Sequence, residues 1–358
     1  MQLPATGIAK STLGLYRECV RQSTSLQVSA MHRRSLQCTL PSNLESVQCG
    51  RCLSESAWRK LFLPLYVALL KPEAVHFPWN GNVPNGLSNT KVITTLNDVL
   101  PLVIPGYFKS DMDKETYCRR VQTDIDRTDL LVTISEYSKN EIINNFSVKS
   151  EPVVIPLGPT LQFEYSKLCQ DVRHCGDYFV YVGGYDSRKG IDKLIKIFIS
   201  LHREKNISSK LVLSGSKNYY SAEFKRLVDE GVQLGIIEEK GYVSDDELAR
   251  LLMNSIALVY PSQYEGFGLP PLEAMALGCP VITTRCTAIP EVCGDAACYI
   301  NPNDEKSFAD GIVALINGKE LQQRLRDKGL KQAAKYTWEL AANKFHRSLS
   351  HVLVHGPR

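Results

Sequence analysis

The chain has 358 residues, enough for two domains of ordinary size, each with its own core. Hydrophobic residues make up 44% and charged residues 22%, which is the balance of an ordinary globular protein and excludes disordered and collagen-like classes. A net charge of +4 without a dense Lys/Arg block argues against nucleic acid as a partner and leaves an anionic membrane surface open.

The eleven cysteines are scattered. The one close pair, Cys49 and Cys52 in CGRC, lacks a second CxxC or a His pair at zinc spacing, so reduced thiols in a cytosolic chain are expected. Redox or metal chemistry at that pair is the lesser alternative. MQLPATGIAKS has no apolar h-region, and no signal peptide is expected.

The N-terminal half opens on the loop-like PATGIAKS, which contains Gly7, followed by a helix over 11–21. Ser11 suits its cap, and Leu13, Leu15 and Tyr16 start its apolar face. Residues 22–55 are weakly periodic. SAWRKLFLPLYVALLK, 56–71, is too short to span a bilayer, which needs about 20 apolar residues. It reads as a buried helix or, with Arg59 and Lys60 as a basic flank, as a membrane-surface helix.

EAVHFPW, 73–79, reads as a short strand ending in a loop with His76, Trp79 and Asn80, and VITTLNDVLPL, 92–102, as a buried strand running into Asn97 and Asp98. Doubly wound domains place ligands at such strand ends. Asp98 serves equally as a carboxylate capping the following loop. DMD at 111–113 and DID at 124–126 fall in a helical stretch where acids two apart point to different faces, and both read as solvated surface charge. DLLVTISEYSKNEI, 129–142, reads as strand, Ser135 cap and helix; PVVIPLG, 152–158, is a further strand.

A domain boundary is expected between Pro159 and Gly176, where no period is sustained. YFVYVGGYDSRKGIDKLIKIF then gives a buried strand over 178–182, a turn at Gly183 and Gly184, and a helix opened by Asp192. It is not GxGxxG, so a dinucleotide reading is weak. Arg188 and Lys189 before that helix could hold a pyrophosphate or could simply belong to a solvated turn. KLVLSG, SAEFKRLVDEGVQLG and IIEEKGYV continue the strand–helix alternation of a parallel sheet. Ser244 and Glu247 form a capping box directly after Tyr242 and Val243. Later, CPVITTR reads as a strand, TAIPEVCGDAACYI as loop and short strand, and DEKSFADGIVALI as a helix. ELQQRLRDKGLKQAAKYTWELAANKFHRSL is an amphipathic run broken near Thr337 and Trp338.

YPSQYEGFGLPPLEAMALGCPV, 260–281, is the stretch with the most chemistry. It predicts a buried strand over 256–260, a loop at Glu265, Gly266, Phe267, Gly268 and Leu269 whose glycines admit close backbone approach, and a helix over 271–277 closed by Gly278. A helix start suits an anion. Glu265 and Glu273, eight positions apart, suit sugar or ribose hydroxyls on either side of it. Read singly, Glu273 is a first-turn acid stabilised by the dipole and Glu265 a solvated loop acid.

EGFGLPPLEAMALGCPVI resembles the ExxxxxxxE segment of the retaining glycosyltransferases of family 4, with likeness strongest over 178–345. The resemblance implies an α/β fold of two facing Rossmann-like domains, the GT-B type. It implies an acceptor domain over 1–160, a donor domain over 177–335, and a final helix over 336–358 that crosses back to the first. It places Glu265 at the donor hexose, Glu273 at the ribose, and Tyr242 and Val243 at the nucleotide base, although those two also suit a plain strand end. Gly7 matches the glycine-rich loop of the family's first domain, and the first strand expected before it is either missing here or replaced by another segment. Asn97 stands where the family carries a histidine, and an amide takes no proton; Asp98 keeps the pattern. Lys189 matches the family's lysine, Gly184 stands in place of its arginine, and Arg188 is the neighbouring cation that could replace it.

The reading that follows is a cytosolic hexosyltransferase, metal-independent and without a cofactor, using GDP-mannose or a UDP-sugar. Its acceptor is expected to be a glycan or lipid-linked glycan in surface polysaccharide synthesis, with peripheral contact at the inner face of the membrane left open. Glu265, Asn97, Asp98 and Lys189 form the expected catalytic set. Gly7, Gly183, Gly184, Arg188, Tyr242, Val243, Gly266, Phe267, Gly268, Leu269 and Glu273 join Glu265 and Lys189 in donor binding. A sugar-nucleotide epimerase on the same architecture and a non-catalytic binding or scaffold protein are the alternatives.

Overall fold

The computed structural model describes residues 7–23, 26–32, 44–48, 53–78, 83–87, 89–161, 176–204 and 207–356. Cys49, Cys52, Trp79 and Asn80 lie outside them, as do residues 1–6, on which the expectation of a missing or replaced first strand falls. The chain divides into two compact units, residues 1–160 with 336–358, and residues 161–335. Each is built of parallel strands alternating with helices.

In the first unit, β1 (Ser29–His32) and β2 (Glu45–Gln48) form a parallel pair. β3 (Ala74–Phe77), β4 (Lys91–Thr95), β5 (Leu130–Thr133) and β6 (Val153–Val154) lie in that order in a second parallel sheet. β5 and the helix Glu136–Asn145 follow the local reading, with the Ser135 hydroxyl accepting the Ser138 N–H at 3.0 Å. Helix Gly7–Gln22 starts earlier than its sequence suggests. Ser11 is therefore interior and donates to the Gly7 carbonyl at 2.8 Å instead of capping, while Gly7 is helical rather than part of a loop.

The C-terminal helix Trp338–His355, capped by Thr337, shares a core with that first helix. Leu15 and Cys19 pack with Phe345 and Leu349 over Ile93 and Val132. Trp338 donates from Nε1 to the Pro159 carbonyl at 2.8 Å.

Three further expectations change here. His76 lies inside β3 and not in the loop after it; its ring is 2.6 Å from the Tyr16 hydroxyl and 2.7 Å from that of Thr95. Asp124 is not solvated, because the helix Asp111–Asp126 turns it inward to accept the Val83 N–H at 2.7 Å, whereas Asp126 faces out. The segment 56–71 is neither wholly buried nor wholly exposed. A π-turn, Trp58–Phe62, leads into helix Leu63–Leu70, whose Leu63 and Val67 are buried while Leu61, Leu65 and Leu69 are exposed.

The second unit holds one six-stranded parallel sheet made of β7 (Tyr178–Val182), β8 (Lys210–Ser214), β9 (Ile237–Gly241), β10 (Leu258–Tyr260), β11 (Val281–Thr284) and β12 (Cys298–Ile300). Their spatial order is β12-β11-β10-β7-β8-β9. Its core joins Phe179, Tyr181, Leu194, Phe198, Leu211, Leu213 and Val259, all buried, as near-continuous apolar strands covered on both faces require. The Ser244 hydroxyl accepts the Glu247 N–H at 3.2 Å, as the capping box predicts. Residues 289–293, read as loop, form a short helix with Pro290 in its first turn.

Candidate functional site

Strand order selects one edge of the second unit. β7 and β10 are neighbours, yet the chain leaves β7 for β8 on one side and β10 for β11 on the other. At such a reversal the loops after the two strands part and open a crevice at their carboxyl ends. The two loops there are 183–190 and 261–268, which contain most of the residues singled out from sequence.

In the first loop Gly183 has φ +147°, and a Cβ on it would lie 2.8 Å from Lys189 Nζ. The bare backbone is what admits the lysine. Asp186 caps the 3-10 turn Ser187–Lys189, and the Tyr181 hydroxyl donates to the Gly184 carbonyl at 2.9 Å. Lys189 Nζ lies 5.8 Å from the centre of the Tyr260 ring. Burial pulls its pKa below the ordinary lysine value, against the opposing charge of Glu265. A Cβ on Gly184 would make only an ordinary contact with the Ser216 side chain, at 3.9 Å.

The second loop is built around the Glu265 carboxylate. Its Oε1 accepts from the Tyr260 hydroxyl at 2.7 Å, the Ser262 hydroxyl at 2.8 Å and Arg188 Nη1 at 3.2 Å. Arg188 also donates to the Tyr264 carbonyl at 2.5 Å and to Asp186 at 3.1 Å. None of the three bonds to the carboxylate uses Oε2. Glu265 is thus a clamped group, in place of the solvated loop acid of the simpler alternative. Burial, and then the Glu265 charge, push the Tyr260 hydroxyl well above its ordinary pKa, so it remains a donor.

The Glu265 N–H donates to the Thr287 hydroxyl at 3.0 Å. Thr287 has φ +51°, a left-handed conformation that a β-branched residue adopts only at a cost of about 1–3 kcal/mol. That strained backbone sets its hydroxyl under the loop.

Helix Leu269–Ala276 begins two residues before the predicted start, directly after Gly268 at φ +111°. Pro270 and Pro271 have no N–H, so two of the backbone donors that a helix start ordinarily offers are missing from this one. Glu273 consequently falls in the second turn, not the first, and is only 6% exposed. Tyr242 and Val243 follow β9 at the same edge of the sheet, and Tyr242 is 64% exposed.

Asn97, Asp98 and Gly7 belong to the first unit. Asn97 and Asp98 follow β4. Asp98 Oδ1 accepts the Leu100 N–H at 3.2 Å, the capping alternative, and the Asn97 carbonyl accepts from the Thr133 hydroxyl at 3.4 Å.

Sequence reasoning missed Tyr260, Ser262 and Thr287 as the partners of Glu265. It also missed Glu239, which takes hydroxyl bonds from Tyr185 at 2.6 Å and Tyr219 at 3.0 Å. Thr287 and Glu239 meet their partners only once the strands are in register, whereas Tyr260 and Ser262 lie five and three positions before Glu265 in a strand end and loop whose geometry no short motif signals.

Residues 173–332 match the family model described as glycosyl transferases group 1. The chain is 28% identical to the O-antigen chain mannosyltransferase B of Escherichia coli, over 95% of this chain and 94% of that one. Among solved structures it resembles WaaG, a glycosyltransferase involved in lipopolysaccharide biosynthesis, with TM-score 0.73 and 15% identity over 99% of this chain and 98% of WaaG. It also resembles HepE of Anabaena in complex with UDP and glucose, with TM-score 0.66 and 16% identity over 86% of each chain. The α/β fold with parallel sheets is the GT-B type.

Proposed function

We propose, from the premise that residues 173–332 form a glycosyl transferases group 1 domain and that the chain is a glycosyltransferase, that it transfers a hexose with retention from a nucleoside-diphosphate sugar. The acceptor in this reading is a glycan or lipid-linked glycan of surface polysaccharide synthesis. Mannose from GDP-mannose is favoured because the Escherichia coli relative is a mannosyltransferase. UDP-sugars come next because HepE holds UDP and glucose.

The observation that carries the reading is the clamped Glu265 beside Lys189 at the point where the strand order reverses. The difficult step is departure of the nucleoside diphosphate while positive charge develops on the sugar ring. Lys189 and the backbone N–H groups of residues 266–269 would stabilise the charge gathering on the diphosphate. Glu265, orienting a sugar hydroxyl through Oε2, would hold the ring, and Glu273 would take the ribose. Arg188, bonded to Glu265 and the Tyr264 carbonyl, would act by fixing that carboxylate as much as by charge on the diphosphate. No metal and no cofactor has a role in this scheme. The enzyme would work in the cytoplasm, peripherally at the inner face of the membrane; among the described residues no helix is long and apolar enough to cross one.

The test is release of nucleoside diphosphate from GDP-mannose, UDP-glucose and UDP-N-acetylglucosamine, with and without polysaccharide acceptor, and the anomeric configuration of the product by NMR. Acceptor-dependent GDP release with an α-linked product is expected. Conversion of the donor into another sugar nucleotide without acceptor would favour the epimerase instead.

A further inference from the structure

On the β8 and β9 side of the strand reversal, the carboxyl edge of the second unit's sheet is bare of side chains. β7, β8 and β9 each run out on a glycine, Gly183, Gly215 and Gly241, with φ +147°, +140° and +70°. The three are tied edge to edge. The Gly183 N–H donates to the Ser214 carbonyl at 2.9 Å, and the Gly215 N–H to the Gly241 carbonyl at 2.9 Å. A Cβ on Gly215 would collide with the Gly183 carbonyl. Neighbouring strands lie about 4.8 Å apart, so this floor runs about 10 Å from β7 to β9. That leaves room for a ribose between a diphosphate at Lys189 and a base at β9.

The far end of the floor carries a polar cluster centred on Glu239. Its Oε1 accepts from the hydroxyls of Tyr185 at 2.6 Å and Tyr219 at 3.0 Å. Its Oε2 lies 3.1 Å from the same Tyr219 hydroxyl and 3.7 Å from Lys217 Nζ. Lys217 Nζ also lies 3.5 Å from the Glu239 carbonyl oxygen. The lysine stem covers Gly241, its Cε 3.5 Å from where a Cβ would stand. The Glu239 side chain is only 13% exposed and that of Lys217 44%. The carboxylate is therefore spent on holding its neighbours, and the group this cluster offers outward is the ammonium.

We propose that Lys217, held over Gly241 by Glu239, selects the donor's nucleobase, favouring guanine or uracil over adenine or cytosine. An ammonium has three donors and no acceptor, so the base atom that meets it must accept. Guanine presents an oxo group, and uracil does so as thymine does; adenine and cytosine carry an amino donor at the corresponding position. An oxo base gains a charge-assisted bond, whereas an amino base sets donor against donor. Glu239 is the positioning residue. Through Tyr185 it also braces the loop 183–190 that carries Lys189, so both ends of the floor share one support. The proposal rests on the donor site of the proposed function and deepens it by naming the class of base.

The test is calorimetric titration of the full chain with GDP, ADP, UDP and CDP, repeated on Lys217→Met and Glu239→Gln. GDP should bind about tenfold tighter than ADP, and UDP about tenfold tighter than CDP, the lower end of the range for a bond to a charged group because this one is half exposed. Lys217→Met should bring each pair within about twofold by weakening the oxo member alone. Glu239→Gln, which keeps an oxygen for the tyrosine hydroxyls but releases the ammonium, should lose part of the preference. An amino base that binds as tightly as its oxo counterpart, or a preference that survives in Lys217→Met, would overturn the proposal. So would an equal loss for all four nucleotides, which would put the ammonium on the diphosphate. In each of these cases the donor site stands. Binding of none of the four would remove the donor site and this proposal with it.

Discussion

Arg188 and Glu265, 77 positions apart, are joined by Nη1 and Oε1 at 3.2 Å. The pair ties the loop after β7 to the loop after β10 across the strand reversal. Arg188 keeps its charge against burial because Glu265, Tyr260 and Asp186 all favour the protonated form. A bond of this charged kind contributes ~1.5–3 kcal/mol. Arg188→Ala should therefore lower turnover about 10- to 100-fold, with a smaller change in the donor KM, and Arg188→Lys should restore part of it. Steady-state kinetics on the three proteins checks this. A rise in donor KM with turnover intact would place the guanidinium at the diphosphate instead.

Tyr260→Phe removes one hydroxyl from Glu265 Oε1 and leaves Ser262 and Arg188 in place. The ring stays buried and the fold should persist, with stability lower by ~1–3 kcal/mol from a buried acceptor short of one donor. Urea unfolding together with turnover measures both effects. Turnover should fall less than in Glu265→Gln, because Tyr260 acts through that carboxylate.

Two glycines separate backbone strain from crowding. Gly268 has φ +111° with nothing nearer its Cβ direction than Ile289 at 3.9 Å, so Gly268→Ala should carry only the backbone cost of ~1–3 kcal/mol. Gly183→Ala adds a 2.8 Å contact with Lys189 Nζ. It should displace the lysine and weaken nucleotide binding more than Gly268→Ala does. Calorimetric titration with nucleoside diphosphate compares the two; equal losses would contradict the placement of Lys189.

Local signals were legible wherever a residue acts on its near neighbours. The Ser135 and Ser244 caps, strand Tyr178–Val182 and the break at Thr337 all follow from patterns within a few positions. What escaped depends on distant pairing. Asp124 reads as surface charge until Val83 is placed against it, and His76 reads as loop until β3 pairs with β4. Glu265 was legible as a chemical group, but its three donors arrive from β10, its own loop and the turn after β7. The motif marks the site; tertiary structure sets its geometry.

His76 provides a pH test of the first unit's core. Its two hydrogen bonds suit the neutral ring, one nitrogen donating and the other accepting. Burial pushes its pKa down to about 3 from the ordinary 6.5. Above pH 6.5 both folded and unfolded chains hold it neutral, and stability is unaffected. Below that value the unfolded chain takes up a proton the folded one refuses, so stability is lost by about 1.4 kcal/mol per pH unit until pH falls through about 3. His76→Gln should flatten the dependence by one proton between pH 6 and 4, measured by urea unfolding. An unchanged slope would mean that the folded state protonates this ring.

The most direct measurement is thermal melting of the full chain with GDP, UDP, ADP and their common sugar conjugates, beside the Glu273→Ala variant. A ligand at 100 times its Kd stabilises by about 2.7 kcal/mol, which melting resolves. The account predicts a shift with one nucleotide class, GDP favoured, that is lost in Glu273→Ala while the variant alone still melts cooperatively. A well-folded protein that shifts with none of these ligands would contradict the donor site itself.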